Sequence, residues 1–370
     1  MRRLALVALL MLCGGLAGAL ILLFGQGTAT NRNLHHPLWI RHESGTTYSG
    51  LTISTEYGPC VEIASSVSVT IKNSNIGPCG TKDAGKSGYG IWIEHGSGHT
   101  IADNYIHPET VYTGPCCDGF NGIYTHGASN VLIQGNVIEK GESNIQIGNG
   151  SDQIVVRGNY LINPQGPYPR GLNFQADRAT NITVVDNYAV NGGHLGADNF
   201  NFYFTDRFTA QGNYVTGTSG DTSDCGIVID SSSNRGSIIG NIVTATGQCG
   251  IGVADGVGHL VDRNKVFEPV RIPGGGNTAI YVARFGAGPC GGVGAEQITV
   301  SNNIAYAAGT SYVDNGSCGT VATGGNIFDA SAFSALDPMA GTNPPPPVPP
   351  QPKHCTVNSP HTTRSSPARC

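Results

Sequence analysis

The chain has 370 residues, of which 54 are glycine and only 12% are charged, with a formal net charge of −5 at pH 7. A charged share about half the usual one excludes long solvated helices and coiled coils. An apolar share of 39% excludes a charge-rich disordered chain, and the acidic balance offers no basic field to a nucleic acid. What remains is a Gly- and Asn-rich, strand-dominated protein.

Arg2 and Arg3 precede an apolar run from Leu4 to Phe24, followed by Gln26-Gly27-Thr28-Ala29. This is the pattern of an export signal, and the run of about 21 residues is also long enough to cross a bilayer. Residues 1–30 therefore read as a signal peptide or a signal-anchor, with the body outside by the positive-inside bias. The expected location is secreted, or anchored to the outer face of the cytoplasmic membrane, with contact to the membrane only through this segment.

Cysteine usage agrees with export. Of 11 cysteines, Cys13 lies in the apolar run and ten lie outside it, an even number suited to disulfides. Similar contexts pair Cys60 with Cys79 and Cys225 with Cys249. Cys290 is matched with Cys318 and Cys355 with Cys370, which leaves Cys116 and Cys117, either paired with each other or rearranging this scheme. No Cys-x-x-Cys pair is present, so no metal site is assigned.

The body, residues 31–341, is an internal repeat. An apolar strand, one or two small or polar residues, Asn and another apolar pair recur at Asn104, Asn136, Asn159, Asn187, Asn213, Asn241, Asn264, Asn303 and Asn326, with Ser74 in the Asn place of an early copy. The steps are 30, 32, 23, 28, 26, 28, 23, 39 and 23 residues, a solenoid signature. Each copy has an upstream partner strand of period two, such as Gly90-Ile-Trp-Ile-Glu94, Gly122-Ile-Tyr-Thr-His126 and Cys225-Gly-Ile-Val-Ile-Asp230. Such a repeat buries its apolar face only by stacking on its neighbours. The Asn is expected at a turn, where it tolerates the left-handed backbone and bonds its neighbours. Stacked Asn side chains also form hydrogen-bonded ladders. These asparagines are therefore structural.

This pattern resembles the right-handed parallel β-helix of the pectin-lyase-like superfamily, over about residues 45–330. The resemblance implies an all-β solenoid of about ten coils. Cys225 and Cys249 then occupy equivalent places one coil apart, and a strand spacing of about 4.8 Å suits a disulfide. Pro344 to Pro352 reads as an extended linker, so residues 342–370 are a proline-rich linker and polar tail.

On the upstream strands the residues between the buried ones face outward in two columns. The first is read as Trp92, Tyr124, Gln146, Asn173, Tyr203, Val228, Gly252, Tyr281. The second is read as Glu94, His126, Gly148, Gln175, Thr205, Asp230, Ala254, Ala283. Aromatic rings with fixed amides and acids suit a sugar polymer. Ile91-Trp-Ile-Glu-His95 is similar to the Trp-Ile-Asp-His segment of pectate lyases, although their Arg-x-Pro-x-x-Arg stretch is absent. Asp221-Thr-Ser-Asp224, with Asp198 about one coil upstream, is similar to the paired-aspartate strand of polygalacturonases. Gly247-Gln248-Cys249-Gly250 stands where that family has Gly-His-Gly.

The expected partner is thus a polysaccharide, and the expected activity that of a lyase, an epimerase or a glycoside hydrolase. The alternative is a non-catalytic glycan-binding or surface-structural protein. The catalytic candidates are Glu94, His126, Tyr124, Asp198 and Asp224. Glu94 and His126 sit on successive strands and can shuttle a proton, with Tyr124 as the acid of an elimination. The substrate-binding candidates are Trp92, Gln146, Asn173, Gln175, Tyr203 and Asp230. No cofactor is expected, Ca²⁺ entering only with a lyase mechanism for which no clear motif exists. The chain is expected to be a monomer. His35, His36, His99, His107 and His259 read as turn or surface residues, and His194 as a residue at the groove edge.

Overall fold

The computed structural model describes residues 28–30, 32–83, 88–109, 120–166, 171–192, 197–217, 224–284, 296–316 and 321–334. The apolar N-terminal run, Cys116, Cys117, His194, Asp221, Cys290, Cys318 and the C-terminal tail lie outside these residues. Among the described residues no helix is long and apolar enough to cross a membrane.

The chain winds through three parallel sheets of 12, 11 and 11 strands. Each coil visits the first, second and third sheet in turn, as in Thr100–Ala102, Tyr105–Ile106 and Ile123–His126. The result is an all-β solenoid of about eleven coils. It starts earlier than the repeat implied: Thr28–Thr30 pairs with Thr47–Ser49, and Leu38–Arg41 pairs with Val61–Ala64. The recurring phrase is absent from these coils because Leu51 stands in the Asn place, its backbone N–H donating to Ser74 Oγ at 3.1 Å.

Inside, like stacks on like. Ile71, Ile101, Ile133, Val156, Val184, Ala210, Ile238, Val261 and Val300 are register partners down the first sheet, all buried. Branched side chains suit this pleated, one-face-buried setting. The middle coils bury Phe174, Phe200, Phe202 and Phe208, with Phe202 stacked on Phe208 at 4.1 Å. Gly236 makes room for that stack, since a Cβ there would lie 2.0 Å from Phe208 Cζ.

The asparagine column forms the corner between the first and second sheets. Asn187 Oδ1 accepts from the Asn159 backbone N–H at 2.9 Å and from Asn159 Nδ2 at 2.9 Å. Asn187 Nδ2 donates to Val156 O and to Asn213 Oδ1, each at 3.0 Å. The same pattern runs from Ser74 and Asn104 to Asn326. The left-handed residue is not the Asn but the one before it: Asp103, Gly135, Gly158, Asp186, Gly212, Gly240, Arg263, Asn302 and Gly325 all have positive φ. The Asn is selected for its amide, which closes a buried corner on both sides.

Both disulfides read from context within the described residues are present. Cys60–Cys79 spans 5.3 Å and Cys225–Cys249 spans 4.6 Å between Cα atoms, the separation of neighbouring coils. His99 and His259 do sit at turns, but buried rather than on the surface. Their Nδ1 atoms accept the Val69 N–H at 3.2 Å and the Gly236 N–H at 3.1 Å, and burial pushes both imidazoles down to about 4.

Asn187→Ala strands two buried donors of Asn159 and the Val156 carbonyl. Denaturant unfolding is expected to show a loss of about 2–4 kcal/mol. The same truncation at Asn326, the last of the column among the described residues and only part-buried, is expected to cost clearly less.

Candidate active site

The outer face of the third sheet carries the sequence-read columns, with the strands Phe174–Asp177 and Phe200–Tyr203 corrected. The register pairs Trp92 with Tyr124, Tyr124 with Gln146, Gln146 with Gln175, Gln175 with Asn201, and Asn201 with Val228. Gln175 therefore belongs to the first column. Tyr203 belongs to the second, between Asp177 and Asp230. Asn173 is in neither. It is fully buried in a second, shorter ladder at the corner before the third sheet, where it accepts from Asn144 Nδ2 at 2.8 Å and donates to Asn199 Oδ1 at 2.7 Å. It has no face to offer a substrate. The reading slipped by two residues because Leu172, Phe174 and Ala176 are all apolar, so alternation fixed the face but not the position along the strand. Thr205 likewise leaves the second column for a buried turn, donating to Ala176 O at 3.1 Å.

Two clusters result. The first lies on the N-terminal coils. Trp39 is 47% exposed, with the Arg41 guanidinium 5.0 Å from its ring centroid. Arg41 Nη2 donates to Glu62 Oε1 at 2.8 Å. Tyr89 packs 5.4 Å from Trp92 and stacks on Tyr124 at 5.4 Å. Glu94 and His126 are register partners, as expected, and the Tyr124 and His126 rings are parallel at 6.5 Å. Trp39, Arg41, Glu62 and Tyr89 escaped the sequence reading. The alternation Leu38-Trp39-Ile40-Arg41, which matches Ile91-Trp92-Ile93-Glu94, is the signal that points to the first two of these.

The second cluster gathers carboxylates. Asp198 and Asp224 each lie just before a third-sheet strand, Phe200–Tyr203 and Cys225–Asp230. Asp198 accepts from Asn201 Nδ2 at 2.9 Å and from the Cys225 N–H at 3.0 Å. Burial pushes its carboxyl up to about 7 against these two hydrogen bonds, and the charges of Asp224 and Asp230 add to the rise. Asp224 is fully buried, and its carbonyl accepts from Gly247 and Gln248 N–H at 2.9 and 2.6 Å. Burial, then the charges of Asp198 and Asp230, hold the Tyr281 hydroxyl firmly protonated. Tyr281, Val228, Ala254 and the Cys225–Cys249 bridge form a small apolar patch beside them. Glu268 accepts the Thr246 N–H at 2.6 Å and lies 2.8 Å from Thr246 Oγ1. Burial pushes Glu268 up to about 8 against these contacts, with the Asp224 charge adding to it. Glu268 was not read from the sequence, Tyr281 only as the end of the first outward column with no role assigned, and Gln146, which accepts from Asn121 Nδ2 at 2.8 Å, lies between the clusters. Four strand steps separate His126 from Asp230, a distance of about 19 Å.

A family model described as a right handed beta helix region matches residues 36–196. The chain has the right-handed β-helix fold. Several solved β-helix structures share its fold at low identity. A DFA-IIIase from Arthrobacter chlorophenolicus A6, solved in complex with GF2, is 13% identical with a TM-score of 0.55, covering 82% of each chain. PfbA, a surface adhesin of Streptococcus pneumoniae, is 12% identical with a TM-score of 0.59, covering 82% of this chain and 84% of its own. The periplasmic alginate epimerase AlgG is 13% identical with a TM-score of 0.56, covering 78% and 70%. The curated proteins compared contain no match to the chain. The β-helix is thus shared with carbohydrate-active enzymes and adhesins, and at these identities the likeness is one of fold.

Glu268 gives the β-helix a pH signature. Between its ordinary value and about 8 the unfolded chain releases a proton that the folded chain keeps, so this residue lowers stability as pH rises. His99 and His259 act oppositely, lowering stability as pH falls from about 6.5 toward 4. Comparing Glu268→Gln with wild type cancels the histidines. The melting temperature of the variant is expected to gain on wild type steadily from pH 5 to pH 8.

Proposed function

We propose that this β-helix protein binds a polysaccharide along the outer face of the third sheet and hydrolyses it at Asp198, Asp224 and Asp230. The observation that carries this reading is the convergence of three carboxylates, one of them, Asp198, pushed up to about 7. Glycoside hydrolysis needs one carboxyl that stays protonated near neutrality and a second that is ionised. Asp198 is the acid that protonates the departing glycosidic oxygen. Asp230, half exposed on the second column, and Asp224 supply the carboxylate that activates water or attacks the sugar. Tyr281, a neutral hydroxyl, and the Asn201 and Gln175 amides are the groups that read sugar hydroxyls, and Trp92 and Tyr124 give a distant ring of the polymer a surface to stack on.

Two disulfides fit an oxidising compartment, and similarity to a periplasmic enzyme and a surface adhesin supports a secreted or surface-anchored protein. A second reading, glycan binding without turnover, is favoured by the aromatic surface around Trp39, Tyr89, Trp92 and Tyr124 and by the likeness to PfbA.

The test is a panel of neutral and uronic polysaccharides assayed for new reducing ends and for the ultraviolet absorbance of unsaturated uronate. Hydrolysis is expected to give reducing ends without that absorbance. Asp198→Asn and Asp224→Asn are each expected to cut turnover at least about 100-fold with binding kept, while Glu94→Gln and His126→Ala leave it nearly unchanged. An unsaturated product lost with Glu94→Gln would instead assign an elimination to Glu94, His126 and Tyr124. Tight binding with no product on any polymer would assign the adhesive reading.

A further inference from the structure

We infer that Glu94, His95 and His126 form a binding site for one first-row divalent cation, zinc foremost, on the exposed flank of the third sheet. The inference is independent of the hydrolytic reading above. Glu94 and His126 face each other across neighbouring strands, and His95 follows Glu94 at the corner where its strand ends. One ligand atom from each of the three lies within 4.8 Å of the others, and the two imidazoles are 5.5 Å apart.

The backbone is shaped to bring His95 in. His95 turns through a left-handed conformation, φ +59. On the next coil the equivalent place is Gly127, whose N–H continues the same corner ladder. A Cβ at Gly127 would lie 2.4 Å from His95 Nδ1. Glycine therefore leaves the space over which the His95 ring lies, beside His126. Among the described residues no side chain forms a hydrogen bond with the side chains of Glu94, His95 or His126, so all three donor sets are free to ligate.

The donor set chooses the ion. Two imidazole nitrogens and one carboxylate suit zinc, nickel or copper, whereas calcium and magnesium want oxygen alone. Zinc holds nitrogen at about 2.0–2.1 Å, so exposed His95 and half-buried Glu94 and His126 would close in by small rotations on binding. Three protein ligands would leave a coordination position for water or an external ligand, on the side where the Tyr124 ring lies 6.5 Å from that of His126.

The test uses the untagged chain, stripped with chelator and titrated with Zn²⁺ by calorimetry, with Co²⁺ as a spectroscopic probe. One zinc per chain is expected, with a rise in melting temperature on saturation. Glu94→Gln, His95→Ala and His126→Ala are each expected to weaken zinc at least about 10-fold and to abolish the cobalt visible spectrum, with metal-free melting temperatures unchanged. Gly127→Asn, which tolerates the left-handed turn but crowds His95, is expected to weaken zinc as well. His36→Ala, an exposed histidine elsewhere, is expected to change nothing. Zinc binding that survives all three ligand substitutions, calcium binding as tight as zinc, or no stoichiometric binding by the wild-type chain would each overturn the assignment.

Discussion

From Asn136 to Asn303, each asparagine side chain of the long column accepts two hydrogen bonds from the coil before it and donates one to the coil after it, inside a corner that water does not reach. A slip of one residue in any coil would break both contacts and turn that coil's apolar face outward. The amide column therefore fixes the phase of every strand relative to its neighbours. The outward columns of the third sheet inherit that phase, and so do both candidate sites. A side chain on this face is placed to within the spacing of a strand because a buried amide on another face is satisfied.

The fold was legible because the amide that locks the phase is also the residue that recurs. The positions from Asn104 to Asn326 could be read off directly, and Ser74 was recognisable as a shortened version. The first coils were not legible because Leu51 has no amide to signal its place. The site was legible in part. Trp92, Tyr124, Glu94 and His126 sit on strands with strict alternation, and their register was right. Asn173, Gln175 and Tyr203 sit where runs of apolar residues blur the phase, and they were misplaced. Asp198 and Asp224 were picked out, but not their convergence with Asp230, Tyr281 and Glu268. Those groups meet through burial of residues that lead into strands, which repeat spacing does not report. His95 was hidden for a similar reason: it is a corner residue, and its neighbour in space is set by the missing side chain of Gly127.

The two clusters differ in how the protein treats charge. Around Asp198 the fold withdraws carboxylates from water and sets them against one another, which raises the energy of the ionised state and lets Asp198 keep its proton up to about pH 7. Around Glu94 it leaves polar side chains on an open surface next to flat rings. One face thus carries a dry, acidic end and a wet, aromatic end, about 19 Å apart on a scaffold of strand spacings.

The Cys225–Cys249 bridge joins consecutive coils, not distant ones. A solenoid pulled from its C-terminal end sheds coils one at a time, like cord leaving a spool. Reaching Cys249, the pull would meet a covalent stop that withholds the chain back to Cys225, a sequence separation of 24 residues. Asp224 and Asp230 border or lie within that held coil. The bridge is a knot tied in the cord at the point where the acidic side chains are wound.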